Sequence, residues 1–203
     1  MTAIIEYGVG NLFSLCSSLE FIGQKAIVTD DPTIIDSAER VILPGVGAFE
    51  LAAQKLHARG MDEVVRRQAA GGKPLLGICL GMQMLLERSF EYGTHEGLGL
   101  IPGDVVSMEP VVPEGFKVPH IGWNALNIKK QSELLKYINE GDHVYFVHSF
   151  YGTNCAEFTV ATTDYGAELT AIVQRDNVYG TQFHPEKSGD VGMHILKAFC
   201  EMK

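Results

Sequence analysis

Four short runs of this chain are almost wholly apolar, and three of them stop at a turn residue or a glycine. Ala3-Ile4-Ile5 ends before Gly8, Ala26-Ile27-Val28 before Asp31-Pro32, Val41-Ile42-Leu43 at Pro44-Gly45, and Pro74-Leu75-Leu76-Gly77-Ile78 runs into Cys79. A strand with one face in water alternates polar and apolar residues, so strands without alternation belong to a sheet covered on both faces. Helical periodicity fills the gaps: Leu12, Leu15, Cys16, Leu19 and Ile22 on one face closed by Gly23, then Phe49, Ala52, Ala53 and Leu56, then Met61, Val64 and Val65. The alternation predicts an α/β fold with a parallel sheet between helices. Asp31-Pro32 reads as a turn.

After Val105 the apolar runs become shorter and closer. Val144 to Val147, Phe158 to Ala161, Ala171 to Val173 and Val178 to Gln182 read as strands, and Val191 to Met202 as a closing helix with Ile195, Leu196, Phe199 and Cys200 on one side. The expectation is a central, mostly parallel sheet extended by antiparallel strands, in a single domain over residues 1–203.

A net charge of -9 argues against a nucleic-acid partner, since phosphate backbones select basic faces. Met1-Thr2-Ala3-Ile4-Ile5-Glu6 has no basic segment followed by an apolar run, so no signal peptide is expected. The most apolar stretch, 74–86, is too short to span a bilayer and carries Gly77, Gly81 and Gln83. Cys16, Cys79, Cys155 and Cys200 show no C-x-x-C spacing, which suits a reducing, cytoplasmic compartment with mostly buried thiols. His57, His95, His120 and His143 have no metal-ligand spacing, and no G-x-G-x-x-G with a following acid occurs, so neither a metal nor a dinucleotide cofactor is expected.

The chemistry concentrates in two places. Gly77-Ile78-Cys79-Leu80-Gly81 is G-x-C-x-G between a predicted strand and a predicted helix, the nucleophile-elbow pattern with cysteine as the nucleophile. The helix N-terminus favours a thiolate, and the Leu80 amide would face an anion forming beside the sulfur. Taken alone, the same pattern is equally a buried cysteine in a glycine-rich turn. A thiolate nucleophile also needs a base and an orienting group. His184-Pro185-Glu186 lies 105 residues after Cys79, behind another predicted strand. A carboxylate two residues from a histidine can accept its ring N–H and fix the tautomer.

Gly77-Ile78-Cys79-Leu80-Gly81-Met82-Gln83 followed by Gln182-Phe183-His184-Pro185-Glu186 resembles the class I (triad) glutamine amidotransferases over nearly the whole chain. The resemblance implies a flavodoxin-like α/β fold and a catalytic triad of Cys79, His184 and Glu186. Tyr7-Gly8-Val9-Gly10-Asn11, Leu43-Pro44-Gly45-Val46-Gly47, Pro119-His120-Ile121-Gly122-Trp123-Asn124 and Phe146-Val147-His148-Ser149-Phe150 further resemble the glutaminase subunits of imidazole glycerol phosphate synthases. That likeness implies glutamine hydrolysis through a cysteine thioester, with ammonia passed to a (β/α)8-barrel cyclase in a heterodimer of histidine biosynthesis.

Carried over by motif, Gln83 would contact the substrate and Glu91 would take its ammonium. The backbones of Gly45, Gly47, Ser149 and Phe150 would hold the glutamine, and Asn11, Trp123, Tyr145 and Lys187 would face the partner. Without the resemblance these last four read as a helix cap, a core aromatic, a strand aromatic and a solvated charge. Val46 stands where many class I amidotransferases have glycine. The second oxyanion donor would be a backbone N–H here, beside Leu80 N–H, and the restricted backbone of a β-branched residue suggests that it points away from the site at rest. Glutaminases serving an anthranilate or pyridoxal phosphate synthase are the rival reading, and the Gly122-Trp123-Asn124 and Pro44-Gly45-Val46-Gly47 segments argue against them. A stand-alone cysteine hydrolase and a binding module with a degenerate triad are the others.

Overall fold

A computed structural model describes all 203 residues. Strands β1 (Thr2–Ile5), β2 (Ala26–Thr29), β3 (Arg40–Leu43) and β4 (Leu75–Ile78) alternate with helices α1 (Leu12–Phe21), α2 (Pro32–Ser37), α3 (Phe49–Ala58), α4 (Met61–Ala70) and α5 (Leu80–Leu85). Ten further strands follow: β5 (Arg88–Ser89), β6 (His95–Glu96), β7 (Asp104–Ser107), β8 (His120–Ala125), β9 (Asn127–Ile128), β10 (His143–His148), β11 (Phe150–Thr153), β12 (Thr159–Asp164), β13 (Glu168–Arg175) and β14 (Val178–Thr181). Helix α6 (Gly189–Glu201) closes the chain.

The main sheet has the order β2-β1-β3-β4-β14-β13-β12-β9. From β2 to β14 neighbouring strands pair parallel, and from β14 to β9 they pair antiparallel. The first four positions follow the flavodoxin-like order, with β14 in the fifth place. The antiparallel extension is what the shorter runs of the second half predict.

Because successive side chains point to opposite faces, each apolar strand feeds two cores. Ala3, Ile5, Val41, Leu43 and Leu75 pack with Phe49 and Leu56 of α3 and Val64 and Val65 of α4. Ile4, Ile42, Leu76 and Ile78 pack on the other face with Leu15 and Leu19 of α1 and Ile195, Leu196 and Phe199 of α6. Residues of β1, β3 and β4 on both sides are fully or nearly fully buried, which is why these runs show no alternation.

Two of the segments assigned from the sequence take a different form. Asp31-Pro32 opens helix α2 rather than a plain turn: the Asp31 carboxylate accepts from Thr33 N at 2.8 Å, and Pro32 takes the first helical position, where its missing N–H costs nothing. Phe158 ends a 3-10 turn, and β12 begins at Thr159. Replacing Phe199, fully buried between α6 and the sheet, by alanine should lower the unfolding free energy by about 3–5 kcal/mol. Urea titration should show a lower midpoint at an unchanged slope.

Candidate active site

Cys79 sits between β4 and α5 at φ 54°, ψ -111°, a backbone region costly for any residue with a side chain. Close approach holds it there. A Cβ on Gly81 would stand 2.0 Å from Leu43 O, and one on Gly77 would stand 2.7 Å from Gly81 O. The two glycines of G-x-C-x-G therefore let the first turn of α5 lie directly on the ends of β3 and β4. Cys79 N donates to Thr181 O at 2.7 Å, tying the elbow to β14 as well.

The base arrives from the end of β14. His184 Nδ1 lies 2.8 Å from Glu186 Oε1, and both side chains are only 3% exposed. The backbone around the ring is pinned: His184 N donates to Tyr145 O at 3.0 Å, Ser188 Oγ donates to His184 O at 2.7 Å, and Tyr145 N donates to Ser188 Oγ at 2.9 Å. Helix α6 lies so close to this turn that a Cβ on Gly192 would meet Pro185 O at 1.9 Å. Burial by itself would lower the pKa of His184. Hydrogen bonding to Cys79 and Glu186, and the charge these can carry, outweigh burial and raise it to about 9. With Glu186 on Nδ1, the other ring nitrogen is left for the sulfur. The structure thus brings together the three side chains that the two motifs single out.

A cleft of about 440 Å³ opens over the sulfur, a volume suited to a small polar molecule. Val46, Gly47, Leu80, Gln83, Glu91, Ser149 and Phe150 line it with Cys79 and His184. One oxygen of Glu91 accepts from Phe49 N at 2.6 Å, at the start of α3. Gly45 is the exception: it does not line this cleft but is buried behind it, where a Cβ would meet Gly81 N at 2.6 Å. Beneath it the buried Tyr7 hydroxyl donates to Pro44 O at 2.6 Å, fixing the peptide that precedes Gly45.

Three of the four rim residues gather beside the cleft. Trp123 of β8 and Tyr145 of β10 are register partners, with ring centroids 6.0 Å apart, and Lys187 Nζ lies 6.0 Å from the Tyr145 ring centroid. Trp123 is 53% exposed, so it is not a core aromatic. Asn11 accepts from Ser14 N at 3.4 Å as the cap of α1, and it borders a crevice beside Glu186.

Sequence reasoning passed over several groups that the structure places here. Gln182, fully buried, lies with Nε2 3.7 Å from Cys79 Sγ. Its signal was its place in Gln182-Phe183-His184-Pro185-Glu186. Ser188 lies two residues past that segment, and Tyr7 opens another quoted motif. His148 lines the cleft and lies 3.1 Å from His120 across the β8–β10 ladder, and burial holds its pKa down at about 4. No group of three or more histidine, cysteine or acidic side chains is arranged to hold a metal ion.

The model of the class-I glutamine amidotransferase family matches residues 3–202. A protein of Caldanaerobacter subterraneus subsp. tengcongensis described as imidazole glycerol phosphate synthase subunit HisH is 50% identical over 203 residues, covering 100% of this chain and 98% of that relative. Subunits of the same description share 50% identity in Lacticaseibacillus casei and 48% in Listeria monocytogenes serovar 1/2a, each over 202 residues, 100% of this chain and 96% of the relative. A solved glutamine amidotransferase superposes with a TM-score of 0.75 at 18% identity, covering 98% of both chains. The PurLQS structure from Thermotoga maritima does so with 0.73 at 20%, covering 98% of this chain and 96% of that chain. At such identities the structural likeness speaks for the fold alone. The match along the full sequence is what decides the family: the chain belongs to the class-I glutamine amidotransferases and, within them, to the HisH family of imidazole glycerol phosphate synthase subunits.

Proposed function

We propose that this chain, acting over residues 1–203 as one glutaminase domain, hydrolyses L-glutamine to glutamate and ammonia for a cyclase subunit of (β/α)8-barrel type. The observation that carries the reading is the strained elbow cysteine beside a buried, carboxylate-oriented histidine. A His184 pKa near 9 keeps the ring protonated at neutral pH, which suits a thiolate–imidazolium pair with Cys79.

In this reading the Cys79 thiolate attacks the side-chain amide carbon of glutamine. The resulting oxyanion is met by Leu80 N–H and, once turned inward, Val46 N–H. His184 gives its proton to the amide nitrogen, ammonia leaves, and a γ-glutamyl thioester remains on Cys79. His184, now neutral, takes a proton from water, which attacks the thioester, so that glutamate is released and the thiolate–imidazolium pair is restored. Glu186 holds the ring without transferring protons. The free oxygen of Glu91 receives the substrate ammonium, and Gln83 with the Gly47, Ser149 and Phe150 backbones holds the rest. Trp123, Tyr145 and Lys187, with Asn11 nearby, form the face that docks the cyclase and closes the ammonia's path to water. The cyclase would use that ammonia to make imidazole glycerol phosphate and an aminoimidazole carboxamide ribonucleotide. Four free cysteines, and no helix long and apolar enough to cross a membrane, suit a cytoplasmic setting.

The Cys79→Ala chain, assembled with its cyclase, should lose glutamine-dependent synthesis and keep synthesis from ammonium salts. Retained glutamine turnover would remove Cys79 from the mechanism.

The histidine supplies a second test. Its folded pKa of about 9 lies above the ordinary 6.5, so its contribution to stability is complete below about pH 6.5 and is lost as pH rises through 9. The His184 ring of the native chain should therefore keep its proton until pH nears 9, which the NMR pH titration of its ring carbons reads directly. A ring that loses its proton near pH 6.5 would mean that His184 is not the charged partner of Cys79.

The third test concerns the Gly45–Val46 peptide. Pro44 O is held by Tyr7, so rotation is blocked before this unit, whereas Gly47 beyond it stands at φ 95° with open space that lets the unit turn. Losing one oxyanion donor costs about 10²–10³ in rate. Glutaminase turnover should rise by about that factor from the isolated chain to the complex with cyclase ligand bound, and Lys187→Glu should weaken the complex or uncouple ammonia from product. Equal turnover in all states would mean a preformed oxyanion hole.

A further inference from the structure

A run of buried side chains leads from the cleft wall to the nucleophile, and hydrogen-bond chemistry fixes its direction. Phe150 O is a carbonyl and can only accept, so the Gln83 atom 3.0 Å from it is the amide nitrogen. The same Gln83 Nε2 lies 3.0 Å from Gln182, which must therefore present its oxygen. That leaves Gln182 Nε2 facing Cys79 Sγ at 3.7 Å, as a donor. His148 Nδ1 also donates to Phe150 O, at 2.9 Å, so the carbonyl that sets the polarity is held from two sides. Gln182 is fully buried, Gln83 is 5% exposed and Cys79 is 7% exposed. In so dry a setting a reversed amide would set Gln182 Oε1 against the sulfur and leave the Gln83 N–H without its acceptor, which is costly.

We propose that Gln182 is a positioning residue for the reaction: its amide N–H, aimed through Gln83 by the Phe150 carbonyl, holds the Cys79 sulfur as an acceptor in the attacking orientation and steadies its negative charge. His184 approaches the sulfur as the second donor, so the thiolate is held between an imidazolium and a carboxamide. Because Gln182 is oriented from behind the sulfur rather than from the substrate side, its contribution is present before glutamine binds. The two neighbours divide the work. Gln83 lines the cleft and keeps its own carbonyl oxygen free for substrate, whereas Gln182 acts only on the nucleophile.

The inference rests on Cys79 being the nucleophile, and its test reads the sulfur directly. In the full-length chain without glutamine, alkylation of Cys79 by iodoacetamide at pH 8 is followed by peptide mass spectrometry in the native protein, Gln182→Met and Gln182→Glu. Methionine keeps the bulk and removes the donor. Glutamate keeps the shape and the acceptor for Gln83 but turns a carboxylate on the sulfur. Losing a hydrogen bond to a charged group corresponds to roughly a 10-fold loss or more, so Gln182→Met should slow alkylation about 10-fold and Gln182→Glu further still. The kcat for glutamine hydrolysis should fall in the same order with KM nearly unchanged. A merely structural role predicts the reverse order, because glutamate is the closer replacement. Variants that fold normally and alkylate within about twofold of the native rate would overturn the proposal. Should neither variant fold, the native chain decides: the Gln182 side-chain amide resonance should shift when Cys79 is alkylated, and an unmoved resonance overturns it. Failure here with an inactive Cys79→Ala would leave the glutaminase reading standing, whereas an active Cys79→Ala would end both.

Discussion

Everything at this site depends on how closely α5 can lie on the ends of two parallel strands. The first turn of α5 touches β3 through Gly81 and Leu43 O and crosses β4 at Gly77, with Gly45 filling the remaining gap. No residue with a Cβ fits at any of these contacts without moving backbone. That closeness forces the chain through φ 54° at Cys79, a strain of order 1–3 kcal/mol that must be supplied from elsewhere. The supply is visible: the residues of β3 and β4 around the turn are buried on both faces of the sheet, and Cys79 N is tied to β14. A strained turn between two large cores cannot relax without unpacking one of them. The sulfur is thereby fixed above the carboxyl ends of the strands, where open α/β sheets place their ligands.

The same economy shapes the base. His184 follows β14, which pairs parallel with β4, so elbow and base leave adjacent strands in the same direction. They are 105 residues apart in sequence yet neighbours by sheet register. Ser188 then locks the turn to β10 by accepting from one backbone and donating to the other, and Gly192 lets α6 seat against Pro185. The carboxylate that orients the ring comes from the same turn, so His184 and Glu186 move as one unit.

How much of this could be read from the chain differs by kind of signal. The parallel half was legible because burial on both faces removes alternation, as in Val41-Ile42-Leu43. The elbow and base were legible because Gly77, Gly81 and Pro185 constrain the backbone around chemically active side chains. Helix α2 was not, because Asp31-Pro32 suits both a turn and a helix start, and six residues carry too little periodicity to decide. The two-residue strands β5 and β6 were missed because they are held only by pairing in a small sheet. Gln182 was hidden for a different reason. An uncharged side chain acquires a role only through its orientation, and that is set by Gln83 and Phe150, which are 99 and 32 residues away in sequence.

The β8–β10 ladder shows how such distant pieces come to act together. Its period of two sends Trp123 and Tyr145 to the exposed rim and His120 and His148 into the protein. Tyr145 also binds the His184 turn through its backbone at both N and O, and His148 holds the Phe150 carbonyl. One ladder therefore carries the face proposed for the partner, the anchor of the base and the histidine that holds the carbonyl aiming Gln83. A rigid-body tilt of β8 and β10 would reach all three at once, with no need for a dedicated path between rim and sulfur. Packed elements of this kind move as units rather than bend, so a partner that prefers one tilt would bias the site by the difference in its contacts with the two positions.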